Sequence, residues 1–321
     1  MRNARELIYY SSKAPSGHNS QPWKFKIQGK TIEIHPDFNF ALPIVDPTNR
    51  ELFISLGCAT ENICVASSHF GYKCNWVIEQ NSKGNHYIKV EFNESKTIVD
   101  KKLIEYINKR QTNRSVYNEK KVDNKVLTQL KELNYEDNIG IYFFKNGEPH
   151  FQNIKNSITK GNEIQMNDSE FKKELLSWIR FNKKEVNKLQ NGLAYKVMGS
   201  PPLPRFIGKA IVKSFFTPEK QNKSDIKKID SSSHFVLLTT KTNTLQEWVK
   251  LGISFQRLLL RLTELGISNA YLNPPCELKS LSIELQKQLP INNEYPSLIL
   301  RIGYAKSVPF SPRKDVEKII E

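Results

Sequence analysis

The stretch KAPSGHNSQPWKF, residues 13–25, concentrates small, turn-forming and hydrogen-bonding side chains immediately before an aromatic segment. Pro15 ends a preceding helix, and the Ser16-Gly17 pair favours a tight turn that exposes backbone N–H groups. Pro22 then directs the chain into an extended strand. Two interpretations fit this composition: a well-capped turn between a helix and a strand, or a loop that presents amides to a planar ligand with polar edges.

The hydrophobic pattern around this loop predicts a mixture of helices and strands, and therefore an α+β fold. A hairpin follows the loop directly, and the strongest amphipathic periodicities lie in two long segments, one in each half of the chain. We predict helices over residues 4–12, 50–70, 100–110, 126–133 and 246–265, a mostly helical region over 150–222, and strands over 23–28, 30–37, 75–80, 87–92, 140–145, 234–240, 268–273 and 297–305.

The two long amphipathic helices share a glycine pattern. The first carries Gly57 and ends at Gly71, and the last carries Gly252 and ends at Gly266, so the spacing between the glycines is the same. Each helix is followed by a strand that contains an aromatic residue. This match indicates a diverged internal duplication.

The 321 residues are 38% hydrophobic, which is enough for a sizeable core, and contain no apolar run of about 18 residues. We therefore expect a cytoplasmic protein without a membrane partner. The net charge is +15, and much of the excess lies in the lysine-rich residues 171–230. A solvated helix face is the favoured interpretation of this excess, while an anionic ligand or a nucleic acid is the alternative.

The cysteines lack the spacing of a zinc site, so we expect no metal centre and no disulfide framework. Cys58 and Cys64 lie on the first amphipathic helix, where a free buried thiol is the expected state. The remaining two are Cys74 and Cys276, and we expect the latter to have a packing role.

The segment APSGHNSQPWKF closely resembles the APSxxNxQPW signature of FMN-binding nitroreductases. In that superfamily the signature contacts the flavin ring and ribityl chain. The resemblance implies that Pro15, Ser16, Gly17, Asn19 and Gln21 bind the cofactor, and that Gln21 lies at the start of the supporting strand. His18 lies inside the same loop and either lines the pocket or, as is more usual for a loop histidine, is exposed.

A second segment, RQTNRSVY at residues 110–117, resembles the RRSxRxF element through which nitroreductases bind the flavin phosphate. Guanidinium groups match phosphate geometry, and a hydroxyl adds a donor. Without the resemblance, a basic helix C-terminus would explain these residues equally well. The resemblance implies four cofactor-binding residues in this segment: Arg110, Gln111, Thr112 and Arg114. It also implies that Arg313, near the C-terminus, completes the phosphate site and that Pro275 lies near the flavin edge.

The order of these motifs resembles the fused, two-lobed (Acg-like) branch of the superfamily, in which one chain imitates the homodimer. The phosphate-binding element follows the ring-binding loop here, whereas it precedes the loop in an ordinary nitroreductase, and only Arg2 and Arg5 remain before the loop. The resemblance implies a nitroreductase-like α/β/α sandwich with a half-lobe over residues 1–105 and a lobe over 106–321. It also implies a helical insertion at about 145–225, one FMN per chain, and a monomer that resembles a dimer, or a weak dimer.

The implied activity is that of an FMN-dependent oxidoreductase passing electrons from NAD(P)H to a small-molecule acceptor such as a nitroaromatic or a quinone. No catalytic side chain is predicted, because the flavin carries the electron chemistry. One alternative is a protein that binds and sequesters flavin, with the helical insertion as a lid jointed at Gly192 and 200–204. A basic nucleic-acid binder is less favoured, because the sequence shows no basic strand surface studded with aromatic residues.

Overall fold

The computed structural model describes residues 3–95 and 102–321, so Arg2 lies outside the described residues. The described residues form twelve α-helices: α1 (Ala4–Ser11), α2 (Arg50–His69), α3 (Leu103–Lys109), α4 (Asn124–Lys131), α5 (Pro149–Asn167), α6 (Ser169–Trp178), α7 (Lys183–Leu189), α8 (Arg205–Phe215), α9 (Pro218–Asp230), α10 (Leu245–Glu264), α11 (Pro274–Glu277) and α12 (Lys279–Gln288). No helix in this described part has the length and apolar character needed to cross a membrane.

The strands form two four-stranded antiparallel sheets and one short parallel pair. Their bounds are β1 (Trp23–Gln28), β2 (Thr31–Pro36), β3 (Tyr72–Gln80), β4 (His86–Glu94), β5 (Ile139–Lys145), β6 (Ile179–Arg180), β7 (Leu193–Ala194), β8 (His234–Thr240), β9 (Ser268–Tyr271) and β10 (Tyr295–Gly303). The N-terminal sheet has the order β1-β2-β4-β3, and the C-terminal sheet has the order β5-β8-β10-β9. The predicted α+β class is confirmed.

The two sheets lie on either side of a central helix pair, because α2 and α10 pack against each other and each also packs on its own sheet. The helices cross at Gly57 and Gly252. A Cβ atom on Gly57 would lie 2.2 Å from the carbonyl oxygen of Val249, and one on Gly252 would lie 2.1 Å from that of Ile54. The shared glycines therefore permit a close backbone approach at equivalent points of the two halves. The duplication itself stays a prediction.

The C-terminal sheet is covered by helices on both faces, which is the predicted α/β/α arrangement. Helix α10 covers one face, and a second apolar cluster on the other face joins the sheet to α5, α9 and α12 through Ile158, Ile229 and Leu285. The N-terminal sheet has α2 on its inner face. Its outer face is polar and includes the ion pair between Lys89 and Glu79. The predicted boundary between residues 105 and 106 falls inside α3.

Two expectations about side chains and local structure were wrong. Cys64 is not a free thiol: α2 packs against β3, which brings its Cα to 5.6 Å from that of Cys74, and the two form a disulfide. Helices α11 and α12 occupy the stretch between the last two strands, where the sequence predicted no element. Cys58 is free and buried, as expected.

The C-terminal tail returns to the N-terminal sheet. Phe25 in β1 pairs with Ile320 in a parallel bridge, and its backbone N–H donates to the carbonyl of Ile319 over 2.7 Å. The tail therefore runs from β10 in the C-terminal sheet to β1 in the N-terminal sheet. This course carries residues 309–313 past the loop that follows α1.

Candidate cofactor-binding site

A cavity of about 690 Å³ lies where the central helix pair, the loop after α1, the segment after α3 and the C-terminal tail meet. Its volume is in the range of small-molecule and cofactor sites. Apolar walls come from the helices and strands, and include Ile54, Ile107, Phe255 and Leu298. Polar and charged side chains enter from the loop, the segment and the tail.

The loop after α1 has an unusual backbone that is fixed by distant segments. His18, Asn19 and Gln21 all have positive φ values, of 47°, 56° and 54°, which residues other than glycine rarely adopt. The side-chain amide of Asn19 donates to the carbonyls of Gly192, at 3.2 Å, and of Pro312, at 3.0 Å. The loop conformation is therefore held from outside by the helical insertion and by the tail.

Gln21 forms a second set of hydrogen bonds that hold the loop. Its Nε2 donates to the carbonyl of Gln190 over 2.8 Å, and its Oε1 accepts from the backbone N–H of Lys314 over 2.8 Å. Its own backbone N–H donates to Ser16 Oγ over 3.0 Å. Gln21 is fully buried and does not line the cavity, so its side chain supports the loop rather than facing a ligand.

Three arginines bring positive charge into the cavity without carboxylate partners. Arg110 Nη2 donates to the carbonyl of Lys13 over 3.1 Å, and Arg313 donates to Asn19 Oδ1 over 2.8 Å. Arg114 also lines the cavity. Within residues 3–95 and 102–321, no carboxylate forms an ion pair with any of the three. Burial, together with the nearby Arg110 charge, lowers the pKa of Arg313 to about 9.

Several buried polar atoms on the cavity wall have no hydrogen-bond partner. They are Nε and Nη1 of Arg110, Nε of Arg313, Nε2 of His18 and the hydroxyl of Tyr271. Buried donors normally find partners, because leaving one unpaired costs about 1–3 kcal/mol and more for a charged group. Five such atoms around one cavity indicate that it is built for a ligand rich in acceptors.

A carboxyl cluster lies on the same wall and was missed by the sequence reasoning. Asn273 Nδ2 donates to Glu51 Oε1 over 2.6 Å, and Gln165 Nε2 donates to Glu277 over 2.5 Å. Burial raises the pKa of Glu51 to about 8, with the charges of Glu277 and Asp46 contributing to the effect. Burial also raises the pKa of Glu277. A carboxyl in the first turn of a helix carries no sequence motif, so only the contacts of the start of α2 with Asn273 and α11 reveal it.

The structure brings nine of the eleven predicted cofactor-binding residues to this cavity: Pro15, Ser16, Gly17, Asn19, Arg110, Gln111, Thr112, Arg114 and Arg313. The other two, Gln21 and Pro275, are buried but do not line it. His18 faces the cavity, so the expectation that a loop histidine is exposed was wrong here. Burial, together with the Arg114 charge, lowers the pKa of His18 to about 4.

The remaining residues singled out from the sequence lie elsewhere. Cys276 is buried and free and does not line the cavity. Arg5 is exposed and pairs with Glu317 near the end of the chain. No group of His, Cys, Asp and Glu side chains that could hold a metal ion occurs among the described residues.

The donor set of the cavity fits FMN. The unpaired guanidinium atoms of Arg110 and Arg313 match the doubly charged phosphate of FMN, since arginine forms its strongest contacts with such oxyanions. The apolar walls provided by Ile54, Phe255 and Leu298 suit a planar ring. The loop around Asn19 presents amides beside both regions.

Comparison with curated proteins finds full-length similarity to nitroreductases. The chain is 20% identical over 324 residues to the putative NAD(P)H nitroreductase Rv3131 of Mycobacterium tuberculosis, and the match covers 99% of this chain and 90% of that protein. It is 24% identical over 181 residues to the probable NAD(P)H nitroreductase PigM of Serratia sp., covering 54% of this chain and 50% of that protein. No family model matches the chain. The resemblance to the nitroreductase superfamily that the motifs predicted is thus confirmed along the whole chain.

Solved structures of the same kind also match. The FMN-dependent nitroreductase NfnB of Mycobacterium smegmatis, solved in complex with NADPH, is 12% identical with a TM-score of 0.42, and the match covers 66% of this chain and 94% of that chain. A nitroreductase-like protein of Bacillus cereus is 11% identical with a TM-score of 0.40, covering 68% and 94%. At these TM-scores the likeness does not bear on the chemistry of the cavity.

Proposed function

We propose that the chain is an FMN-dependent oxidoreductase of the nitroreductase type, which passes electrons from NAD(P)H to a nitroaromatic, a quinone or a similar acceptor. The observation that carries this proposal is the set of three arginines, Arg110, Arg114 and Arg313, that line one cavity without a carboxylate partner among the described residues. Two of them, Arg110 and Arg313, have buried nitrogen atoms without a hydrogen-bond partner. The curated relatives, which are named NAD(P)H nitroreductases, support the same reaction class.

The chain's own residues have distinct tasks in this proposal. Arg110, Arg114 and Arg313 bind the phosphate, with Thr112 as an additional hydroxyl donor. The loop around Asn19 orients the ring and ribityl chain through its amides. When bound, FMN supplies the electron transfer between donor and acceptor, and no catalytic side chain is needed for that transfer.

The carboxyl cluster on the cavity wall is suited to hold protons near the acceptor. With a pKa of about 8, Glu51 keeps its proton across most of the neutral range, and Asn273 fixes its orientation through a 2.6 Å hydrogen bond. Reduction of a nitro group or a quinone consumes protons as well as electrons. A protonated carboxyl beside the site would therefore be available for that demand.

A second candidate function is flavin binding with little turnover. The helical insertion contributes Leu193 to the cavity wall, and Gly192 accepts a hydrogen bond from Asn19. The insertion therefore contacts the loop after α1 (the cofactor loop) directly, as a lid would. Closure of this segment over the cavity would retain the flavin and restrict access of the acceptor.

Rapid mixing of the FMN-loaded protein with NADH or NADPH separates the two functions. The reductase proposal expects a prompt loss of the visible flavin absorbance, followed by its return when a nitroaromatic or a quinone is added. Retention of the absorbance over minutes, together with tight FMN binding, would favour sequestration. A protein that neither quenches FMN fluorescence nor retains FMN on gel filtration would contradict both.

A further inference from the structure

Helix α8 exposes an apolar face that the cavity and its chemistry do not use. Phe206 is 75% exposed, Phe215 is 58% exposed, and Ile207 and Ile211 are also exposed. Ile207, Ile211 and Phe215 follow one another at four-residue steps and form one stripe along the helix. Phe206 lies about half a turn around the helix from Phe215, at the other edge of the same exposed half. A contiguous exposed stripe of large apolar side chains is a mark of an interaction surface.

A neighbouring side of α8, which contains the buried Gly208, anchors the helix to the protein. A Cβ atom on Gly208 would lie 2.2 Å from the ring of Phe181, so this glycine permits a close approach between the helix and the ring. The backbone N–H of Leu203, just before the helix, donates to the carbonyl of Phe181 over 2.9 Å. Phe216, just after it, packs against the cluster formed by Leu42, Val45, Met166 and Phe171. The outward orientation of the apolar stripe is thus fixed by the fold.

The surroundings of the stripe are strongly basic. Residues 183–223 contain nine lysines and arginines and two acidic residues. Lys209 and Lys213 lie on α8 itself, one and two turns beyond Arg205, and flank the apolar face. Lys220 lies with its Nζ 5.0 Å from the ring centroid of Phe215.

We propose that α8 is a docking helix for an anionic lipid surface, in which Phe206, Ile207, Ile211 and Phe215 enter the boundary between headgroups and acyl chains. A helix with an apolar face that contains phenylalanines and a lysine-rich flank has the character of an interfacial helix. Basic side chains beside it attract anionic headgroups. This proposal stands apart from the proposed function, because none of these four residues lines the cavity.

Charge distinguishes this occupant from the alternatives. A second copy of the chain would bring the same basic segment against itself, and like charges at close range repel. Single-stranded nucleic acid would satisfy the lysines, yet its phosphates offer nothing apolar to cover Ile207 and Ile211. An anionic bilayer satisfies both the charge and the apolar stripe.

Co-sedimentation with lipid vesicles tests the proposal on the full chain. We expect binding to vesicles of phosphatidylcholine mixed with phosphatidylglycerol, little binding to phosphatidylcholine alone, and a decline as salt is raised. The double variant Phe206→Ser/Phe215→Ser should lose about tenfold or more in vesicle affinity. Its matched control is Ile283→Ser on α12, which is 44% exposed and should bind like the unaltered protein.

Charge-reversal variants test the same proposal independently. Lys209→Glu/Lys213→Glu should also lose vesicle binding, whereas Lys279→Glu on α12 should not. Unchanged FMN binding and unfolding midpoint in every variant would show that the fold is intact. Absence of binding to the mixed vesicles overturns the proposal, as does binding that both α8 variants retain.

Two further outcomes would assign the surface to another occupant and so overturn the proposal. One is concentration-dependent dimerisation in the absence of lipid that Phe206→Ser/Phe215→Ser abolishes. The other is binding of single-stranded RNA that Lys209→Glu/Lys213→Glu abolishes, together with no binding of vesicles by the unaltered protein.

Discussion

The guanidinium of Arg313 donates to the side-chain oxygen of Asn19 over 2.8 Å and so joins two motifs that are 294 residues apart in the chain. The other terminal nitrogen of Arg313 lies 3.2 Å from the carbonyl oxygen of Lys13, which also accepts from Arg110 at 3.1 Å. The two arginines therefore converge on the residue that begins the cofactor loop. This shared acceptor explains how the proposed phosphate-binding arginines and the loop after α1, which are distant in the sequence, form one site.

Replacement of Arg110 should weaken FMN binding far more than riboflavin binding. Its Nε and Nη1 are buried without partners, and a charge-assisted contact with a phosphate contributes about 1.5–3 kcal/mol. Arg110→Gln should therefore reduce FMN affinity by about tenfold to a hundredfold, while riboflavin, which has no phosphate, changes little. Quenching of flavin fluorescence in parallel titrations measures both affinities.

Arg5→Gln is the matched control for that experiment. Arg5 is exposed, pairs with Glu317 and lies outside the cavity, so its loss should leave both affinities unchanged. Equal losses of FMN and riboflavin in Arg110→Gln would mean that Arg110 supports the fold and does not contact the phosphate.

Replacement of Gln21 should have the opposite pattern, because this side chain holds the loop without facing the cavity. Gln21→Ala removes hydrogen bonds to Gln190 and to the backbone of Lys314, and leaves the buried backbone N–H of Lys314 unpaired. We expect the free energy of unfolding to fall by about 1–3 kcal/mol and the affinities for FMN and riboflavin to fall together. Urea unfolding and the same titrations provide the data, with the exposed Gln28→Ala as control. A loss confined to FMN would place Gln21 at the phosphate.

Local sequence patterns were sufficient for most elements, although not for α11 and α12, and for most of the residues that line the cavity. The loop around Asn19 and the segment that begins at Arg110 each form a compact run, and the structure places both on the cavity wall. Glu51 could not be predicted, because its burial depends on how α2 meets the distant α11 helix. The Cys64–Cys74 disulfide was missed for the same reason, since it depends on the packing of α2 against β3.

Glu51 should make the stability of the protein depend on pH. Its pKa is about 8 in the folded state against an ordinary value of 4.5, so the folded state binds the proton more tightly. The stability that this provides is fully present below the ordinary pKa and is lost as pH rises towards 8. Glu51→Gln keeps the acceptor for Asn273 and removes the titration. Between those pH values the variant should gain roughly 1–3 kcal/mol relative to the unaltered protein.

Urea unfolding at a series of pH values measures this difference. Glu105→Gln is the control, because Glu105 is exposed and paired with Lys109, and it should leave the pH profile unchanged. Parallel profiles for Glu51→Gln and the unaltered protein would show that Glu51 is ionised in the folded state across this range.

Alanine at Gly57 should separate the central helices. Alanine has the better helix propensity by about 1 kcal/mol, so an isolated helix would gain from the change. Here the new Cβ would lie 2.2 Å from the backbone oxygen of Val249, which cannot move aside without shifting α10. Overpacking of this kind costs about 1–3 kcal/mol, and we expect Gly57→Ala and Gly252→Ala each to lower the unfolding free energy, measured by urea unfolding. A rise in stability for both would show that α2 and α10 leave room for a methyl group at their crossing.

Flavin stoichiometry should reach one FMN per chain and stop there. The register defined by Gly57 and Gly252 equates Ser55, which lines the cavity, with Lys250 on α10. Lys250 is paired with Asp137 over 2.5 Å, and the neighbouring Glu136 donates its backbone N–H to Ser254 over 3.0 Å. Residues 136 and 137 thus pack against α10 at the position that corresponds to the cavity beside α2. Absorbance of flavin released from a known mass of saturated protein measures the ratio. A ratio of two would require a second phosphate-binding set, and Arg110→Gln would then still retain about half of the flavin.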